Sequence, residues 1–471
     1  MPPFFPTGPG YYSLWDQLNG DCKEKAPKTP WGIYSFTQAS SFDLDFRYLD
    51  KPDNKQHDIF DPLKRIHIGD DWLLSMGGQT WLRTMNEVDA RLTKTNDSYQ
   101  LLRNREYVDL WYQDRFRLFG EFIYAESFNN NLDPRAIDIN RADFLNLFGE
   151  MKVYGSSDGS AYLRVGRQEL LYGSQRLIST LDWANTRRTF QGIKGYYTSK
   201  EWDFDLFWVQ PVAINRDHLD SVDNNKNFFG AWATRKLEDG QSLDFYYLYL
   251  DDTNPTAVGV GGVKGGQFVH TLGTRYFGKY DNWRIDFEPM LQLGSASNQN
   301  KVAASIPIGV GYEAAEKSWK PQAWVYYDWA SGDSNPGQGN NNSTFNQLFP
   351  FGHYYYGYLD LVGRQNIHDV YGQVAFFPEN WLTCLIQYHN FWLANERDAL
   401  YNAAGAPTRR DPTGNAGRYV GNEIDLFMSA QLTTHTNFGI GYSKLFSGGF
   451  IAKTGPDVSP ELFYMQVNYR W

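Results

Sequence analysis

The sequence predicts an all-β protein, folded as a transmembrane antiparallel up-and-down β-barrel of about 18 strands with an N-terminal periplasmic extension. Composition is the first observation behind this fold class: 17% of the residues are aromatic, 43 are glycine and only 21% are charged, which is typical of many amphipathic strands. The second is a run of ten-residue segments of alternating character, and the third is an alternation of connection lengths. No apolar stretch approaches the roughly 18 residues of a membrane-spanning helix, so a spanning fold must be a closed barrel.

The first element is the N-terminal region, which is rich in Pro, Asp and Lys and shows no sustained alternation. We predict that residues 1–65 form an extension or plug and that residues 66–471 form the transmembrane barrel. A loosely ordered tail is the alternative for the first part. Residues 1–30 contain neither a charged n-region nor an apolar h-region, so we expect this chain to be a mature or trimmed form.

The barrel follows from connections that alternate between short and long, as in bacterial barrels with short periplasmic turns and longer extracellular loops. Counting segments around these joints gives about 18 strands, with both ends on the periplasmic side. The short joints lie near residues 113–115, 154–160, 199–201, 237–240, 279–281, 313–317, 378–380 and 432–434. The long ones lie near residues 88–102, 129–140, 170–186, 214–225, 252–265, 331–364, 395–419 and 447–459.

The last segment shows the alternation most clearly. Phe463, Met465, Val467, Tyr469 and Trp471 share one face, and polar residues occupy most of the other. A terminal strand that ends on an aromatic residue resembles the C-terminal signature of bacterial outer-membrane barrels, although a soluble edge strand has the same pattern.

Charged residues at alternate strand positions must point into the lumen, because the lipid face of a barrel is apolar. Acids and bases are nearly balanced among them, which favours a water-filled polar passage. The alternative is that they form cross-strand pairs that only hold the barrel together. Arginine would guide an anionic polymer best, since its planar fork binds carboxylates with two hydrogen bonds. The pore-lining residues predicted in this way are Arg103, Arg105, Arg117, Glu121, Arg164, Arg275, Arg284, Asp286, Glu423 and Asp425.

Three stretches resemble the alginate-export family of outer-membrane porins: VGRQELLYGSQRLISTLDWANTRRTFQG from Val165, TFNQLFPFGHYYYGYLD from Thr344, and GNEIDL from Gly421. The resemblance extends from about Leu63 onward. It implies an antiparallel barrel of about 18 strands with an arginine-lined pore, and it places Arg164, Arg167 and Arg188 near the narrow part. Strict alternation puts Arg167 on the outward face, so it lines the pore only if a bulge intervenes.

The loop from Leu170 to Thr186 is the predicted constriction loop, because a folded-in loop commonly narrows a porin; simple capping of the barrel rim is the alternative. A tyrosine cluster in the longest loop would either stack on sugar rings or pack that loop onto itself. The constriction residues are Arg176, Asp182, Trp183, Asn185 and Arg187, and the cluster comprises Tyr354, Tyr355, Tyr356 and Tyr358.

These features predict a porin or channel in the outer membrane of a Gram-negative-type bacterium, for diffusion or export of polar solutes, with an anionic polysaccharide such as alginate as candidate cargo. The alternatives are a plugged or scaffold barrel that anchors a partner, and an outer-membrane glycosidase or hydrolase using Glu423 and Asp425. We expect no catalytic residue, metal or cofactor, since Cys22 and Cys384 have no zinc-type spacing. The net charge of −10 argues against nucleic acid. The expected partners are outer-membrane lipid, small polar or saccharide solutes, and a periplasmic partner bound through the N-terminal extension.

Overall fold

The computed structural model describes residues 13–20, 40–44, 46–52 and 58–471. Within these residues the chain forms a closed barrel of 18 antiparallel strands, labelled β1 to β18 in chain order. The first nine are Trp72–Val88, Asp97–Tyr112, Phe116–Phe128, Asn140–Gly155, Gly159–Gln168, Phe190–Ser199, Trp202–Ala213, Lys226–Lys236 and Ser242–Val258. The others are Lys264–Tyr280, Trp283–Phe287 with Met290–Ala296, Gln299–Glu313, Gln322–Ala330, Ile367–Glu379, Leu382–Leu393, Tyr419–Gln431, Thr436–Ser447 and Glu461–Arg470.

The barrel closes where β1 pairs with β18, in a register that runs from Gln79 opposite Arg470 to Val88 opposite Glu461. Beyond this ladder, Gly78 and Trp471 exchange two backbone hydrogen bonds of 2.9 and 3.1 Å. Because each of the 18 barrel strands has two neighbours, the barrel formed by the described residues has no open edge. The predicted strand number and the even count are therefore confirmed, and the last strand is a barrel strand.

One end of the barrel carries short turns, which we call the short-turn end, and the opposite end carries most of the long loops and is called the long-loop end. In outer-membrane barrels these ends face the periplasm and the outside, respectively. The alternation of lengths fails at one joint, because β11 and β12 are linked at the long-loop end by Ser297 and Asn298 alone. Ser297 adopts a left-handed conformation (φ 53°), which permits this two-residue turn. The predicted loop at 252–265 is also shorter, because β9 continues to Val258 and β10 begins at Lys264.

The outer surface carries an apolar band between two levels of aromatic side chains. At the short-turn end Trp72 contacts Tyr112, Trp283 contacts Tyr312 and Trp319 stacks on Phe376. At the long-loop end Tyr249 stacks on His270 and Trp392 contacts Tyr419. Aromatic girdles of this kind mark the two membrane–water interfaces, so the band between them contacts membrane lipid.

Helices are short. They span Leu14–Leu18 (α1), Gly352–Tyr355 (α2) and Gly449–Thr454 (α3), and among the described residues no helix is long and apolar enough to cross a membrane. Further short strands lie beside the barrel strands or in the loops, at Ile66–Ile68, Ser221–Val222, Asn341–Asn342, Ala399–Tyr401 and Pro407–Arg410.

Segments of the protein enter the lumen of the barrel from both ends. Residues 169–189, between β5 and β6, form the constriction loop, and residues 331–366, between β13 and β14, form what we call the tyrosine loop. Both fold inward and share one apolar core with inward-facing strand residues such as Phe207, Phe228 and Tyr464. At the short-turn end, described residues of the N-terminal region contact the inner wall. Cys22 lies outside the described residues, and Cys384 is a free thiol in β15.

Candidate functional site

Buried arginines follow one arc of the inner wall, formed by β1 to β5. We call Arg83, Arg103, Arg105, Arg117 and Arg164 the arginine ladder; Arg83 lies nearest the long-loop end, and Arg117 and Arg164 lie nearest the short-turn end. Their side chains face inward because each occupies an alternate strand position whose neighbours, such as Leu82 and Val165, are exposed on the outer face. The ladder thus runs along the lumen between its two ends.

Most members of the ladder are paired with a carboxylate of the wall. Arg105 lies 2.7 Å from Glu121, and Arg117 binds Asp109 with two hydrogen bonds of 2.7 and 2.9 Å. Arg164 bonds Glu150 at 2.6 Å. Each pair joins neighbouring strands, as expected if the lumen charges hold the barrel together. The pairing also fixes the position of each guanidinium group.

The constriction loop is fastened to the upper part of the ladder. Asp182 lies 2.9 Å from Arg103 and also binds Arg187, which in turn lies 2.5 Å from Glu169. Arg83 donates to the carbonyl of Trp183 at 2.7 Å. The amide of Asn185 donates to the carbonyls of Leu102, Glu126 and Asp138. The loop therefore lies inside the barrel rather than capping its rim.

The same loop also reaches another arc of the wall, formed by β10 and β11. Arg176 is fully buried and binds Asp286 at 2.9 Å and Glu288 at 2.8 Å. Arg275 binds Asp286 from the neighbouring strand at 2.8 Å. Arg284 is inward-facing at the short-turn end, where it binds Glu313. The constriction loop therefore crosses the lumen from the ladder to this arc.

The tyrosine loop fills the space beside it. Its tyrosines, Tyr354, Tyr355, Tyr356 and Tyr358, are buried in the lumen core, so the cluster packs the loop inside the barrel. The backbone N–H groups of Leu359 and Tyr358 donate to Glu423 at 2.9 Å and to Asp425 at 3.2 Å. Glu423 and Asp425 thus hold a loop in place.

Carboxylates dominate the arc formed by β13 to β16. Asp328, Asp369, Glu423 and Asp425 all face inward there and are buried. Asp328 is paired with Arg364 of the tyrosine loop at 2.6 Å, and Asp369 with His389 at 2.8 Å. The described strands β13 to β16 contain no arginine or lysine, so we call this wall the acidic arc. On the ladder arc, in contrast, arginines and carboxylates are paired with each other.

The position of Arg167 corrects one prediction. It pairs with Leu147 and Gln191 on the outer face of β5, and no bulge turns it inward. Its guanidinium reaches Asp143 at 2.9 Å and the carbonyl of Asp220 at 3.1 Å, close to the long-loop rim. Arg188 lies in the constriction loop and donates to Ser179 and to the carbonyl of Pro350.

A small cleft with room for about one water molecule lies above the ladder at the long-loop end. Charged side chains of both signs line it, among them Glu87, Arg91, Arg135 and Asp360. Arg135 is paired with Glu87 at 2.6 Å. Trp183 also lines it, with its ring stacked on His353 at a centroid distance of 3.9 Å. Trp183 therefore links the two features, because it lines the cleft and its carbonyl accepts from Arg83, the first arginine of the ladder.

Residues 72–465 match the model of a protein family described as alginate export. The chain belongs to the alginate-export family. A search of curated proteins finds no match. Other proteins with solved structures are similar to this alginate-export protein. One is OccD3 (OpdP) of Pseudomonas aeruginosa, with 9% sequence identity and a TM-score of 0.57; the match covers 84% of this chain and 91% of the other.

OprD and OpdQ of the same organism are also similar to this family member. OprD has 10% identity and a TM-score of 0.54, with 84% of this chain and 93% of the other covered. OpdQ has 12% identity and a TM-score of 0.54, with 85% and 97% covered. At these identities the likeness establishes the barrel fold. Family and fold together support an outer-membrane channel for solutes.

Sequence reasoning missed two parts of the site. Arg83 was omitted although it shares the inward face of Trp81 and Met85, so alternation could have found it. Arg364 lies in a loop without periodicity, and the partner that fixes it, Asp328, is 36 residues away. No sequence signal reports such a contact.

Proposed function

We propose that this channel serves the diffusion or export of polar solutes across the outer membrane of a Gram-negative-type bacterium, with an anionic polysaccharide such as alginate as candidate cargo. The observation that supports this is the arginine ladder, because it offers a series of guanidinium groups along the lumen. Arginine binds a carboxylate in a planar, two-bond geometry and stays charged at all relevant pH values.

The ladder can accept a solute carboxylate by exchange. Asp182 is the most exposed of the carboxylates that bind the upper ladder, at 28% for its side chain, whereas Glu121 and Glu169 are fully buried. It is carried by a loop rather than by a strand, so its displacement does not disturb the wall. A solute carboxylate that reaches this position from the long-loop end would take its place on Arg103 and Arg187.

We predict that the purified protein in a planar bilayer gives stable conductance steps that alginate oligosaccharides block from the long-loop side. Arg103→Ala should weaken this block at least tenfold, because one charge-assisted contact contributes roughly 1.5–3 kcal/mol. Asp182→Asn should strengthen the block, since the competing internal carboxylate is lost.

Arg235→Ala is the matched control, because Arg235 pairs with Glu201 at the short-turn rim, away from the ladder. Neutral oligosaccharides of equal length are tested in parallel, so that the effect of solute charge on the block is distinguished from the effect of solute size. If Arg103→Ala and Arg235→Ala change the block equally, the ladder does not guide the solute.

A scaffold barrel is the second candidate. Trp15 and Leu18 of α1 and Ile59 are exposed apolar side chains of the N-terminal region, and they offer a surface to a periplasmic partner. Folded, heat-modifiable protein that gives no conductance but retains a partner through this region would favour the scaffold over the channel.

A further inference from the structure

The N-terminal region places a short turn inside the lower part of the lumen. Residues 41–43 form a 3-10 turn whose Phe42 is buried, whereas Asp43 is exposed. Among the described residues before β1, only Ile66–Ile68 pairs with a barrel strand, β1, and this segment follows the N-terminal region. The turn is thus held by side chains and single carbonyls rather than by the sheet.

Phe42 occupies an aromatic pocket of the inner wall. Its ring meets Phe119 and Phe148 edge to face, with centroids 5.8 and 5.5 Å apart. The guanidinium of Arg164 lies over the ring at 4.6 Å. Two aromatic rings that contact the phenyl ring and an arginine that lies over its face form a pocket suited to a single phenyl ring.

The polar atoms of the turn are also matched by the wall. The Ser41 hydroxyl donates to Glu121 at 2.8 Å and accepts from Arg105 at 3.2 Å. The carbonyl of Phe42 accepts from Arg117 at 2.7 Å. The turn therefore occupies the lower members of the arginine ladder, which the proposed pathway would need.

We propose that the lower lumen is a peptide-binding site for a seryl-phenylalanyl segment, and that the N-terminal turn is its releasable tethered ligand, closing the channel at the short-turn end. The guanidiniums of the site are already paired with Asp109, Glu121 and Glu150, so they are held in place to meet the hydroxyl, the carbonyl and the ring of the turn. A ligand on the same chain is present at a high effective concentration, so a free peptide binds more weakly while the turn is intact.

The test measures binding of fluorescently labelled Ac-Ser-Phe-Asp-NH2 to the full-length protein in detergent by anisotropy. We expect a Ser41→Ala/Phe42→Ala/Asp43→Ala variant to bind the peptide at least tenfold more tightly than the unaltered protein. Ac-Ser-Ala-Asp-NH2 should bind at least tenfold more weakly to that variant, because it lacks the ring. Adding Arg164→Gln to the variant should also weaken binding.

Trp15→Ala/Leu18→Ala is the matched control, since both side chains are exposed on α1 outside the lumen, and it should leave peptide affinity as in the unaltered protein. Heat-modifiable migration confirms that each barrel is folded. The proposal is overturned if the triple variant binds the peptide no more tightly than the unaltered protein, or binds Ac-Ser-Ala-Asp-NH2 equally well. This readout needs no conductance, so its failure is distinct from failure of the proposed transport function.

Discussion

At the scale of single residues, the lumen depends on arginines whose surroundings differ widely. Arg176 is fully buried between Asp286 and Glu288, whereas Arg141 binds Glu126 and Asp217 with 43% of its side chain exposed. A buried ion pair does not guarantee stability, but removal of one partner leaves charges without compensation. An exposed pair is screened by water and contributes little.

We therefore expect Arg176→Ala to lower the free energy of unfolding by about 3–5 kcal/mol, because Arg275 is then the one arginine among the described residues left to pair with two buried carboxylates. Arg141→Ala should leave it unchanged within error. Urea unfolding of both variants in lipid vesicles measures the difference. Equal, small losses would mean that water reaches Asp286 and Glu288 and that the lumen is more hydrated than the buried contacts suggest.

At the scale of elements, the alternation of strands was the part of the structure that sequence could predict. Period-two patterning places Arg103, Arg117 and Glu121 inward because lipid tolerates only apolar side chains outside, and this constraint acts on every strand. It also placed Arg167 outward, against the family resemblance, and the structure agrees with the alternation. Loops obey no such rule, so the sequence left two alternatives open for the tyrosine cluster, and the contact of Arg364 with Asp328 could not be predicted.

Strand register at the β4–β5 pair requires a glycine. Gly166 has φ +131°, and a Cβ there would lie 2.4 Å from the carbonyl oxygen of Leu147 and 2.8 Å from Cα of Phe148. This pair of strands sets Arg164 opposite Glu150, two residues away. A side chain at position 166 must therefore strain the backbone or shift the strands apart.

Gly166→Ala should destabilise the barrel by about 1–3 kcal/mol, the usual cost of an unfavourable backbone conformation. Gly149→Ala is the matched control on β4, because a Cβ there meets nothing within 4 Å. Midpoints of urea unfolding compare the two variants. If Gly149→Ala is as harmful as Gly166→Ala, loss of glycine flexibility rather than the close contact is responsible.

At the scale of the whole molecule, the two inward-folded loops are joined to each other as well as to the wall. Phe349 of the tyrosine loop donates its N–H to Leu177 and accepts from Ser179, both at 2.9 Å, and Ile178 pairs with Phe349 in a parallel bridge. The constriction loop is anchored to the arginine ladder, and the tyrosine loop to the acidic arc at Glu423 and Asp425. A wide passage through the lumen centre therefore requires this bridge to part.

A disulfide across the bridge tests this requirement. Bridged strands lie about 4.8 Å apart, and disulfides join Cα atoms roughly 4.4–6.8 Å apart, so Ile178→Cys/Phe349→Cys can form one. In a background of Cys22→Ser/Cys384→Ser, we expect the oxidised protein to lose most of its conductance and alginate block, and reduction to restore both. The single variant Ile178→Cys controls for the loss of apolar volume and should not respond to oxidation. If the oxidised double variant conducts like its reduced form, the loops move as one body, or solutes pass along the arginine ladder without separating them.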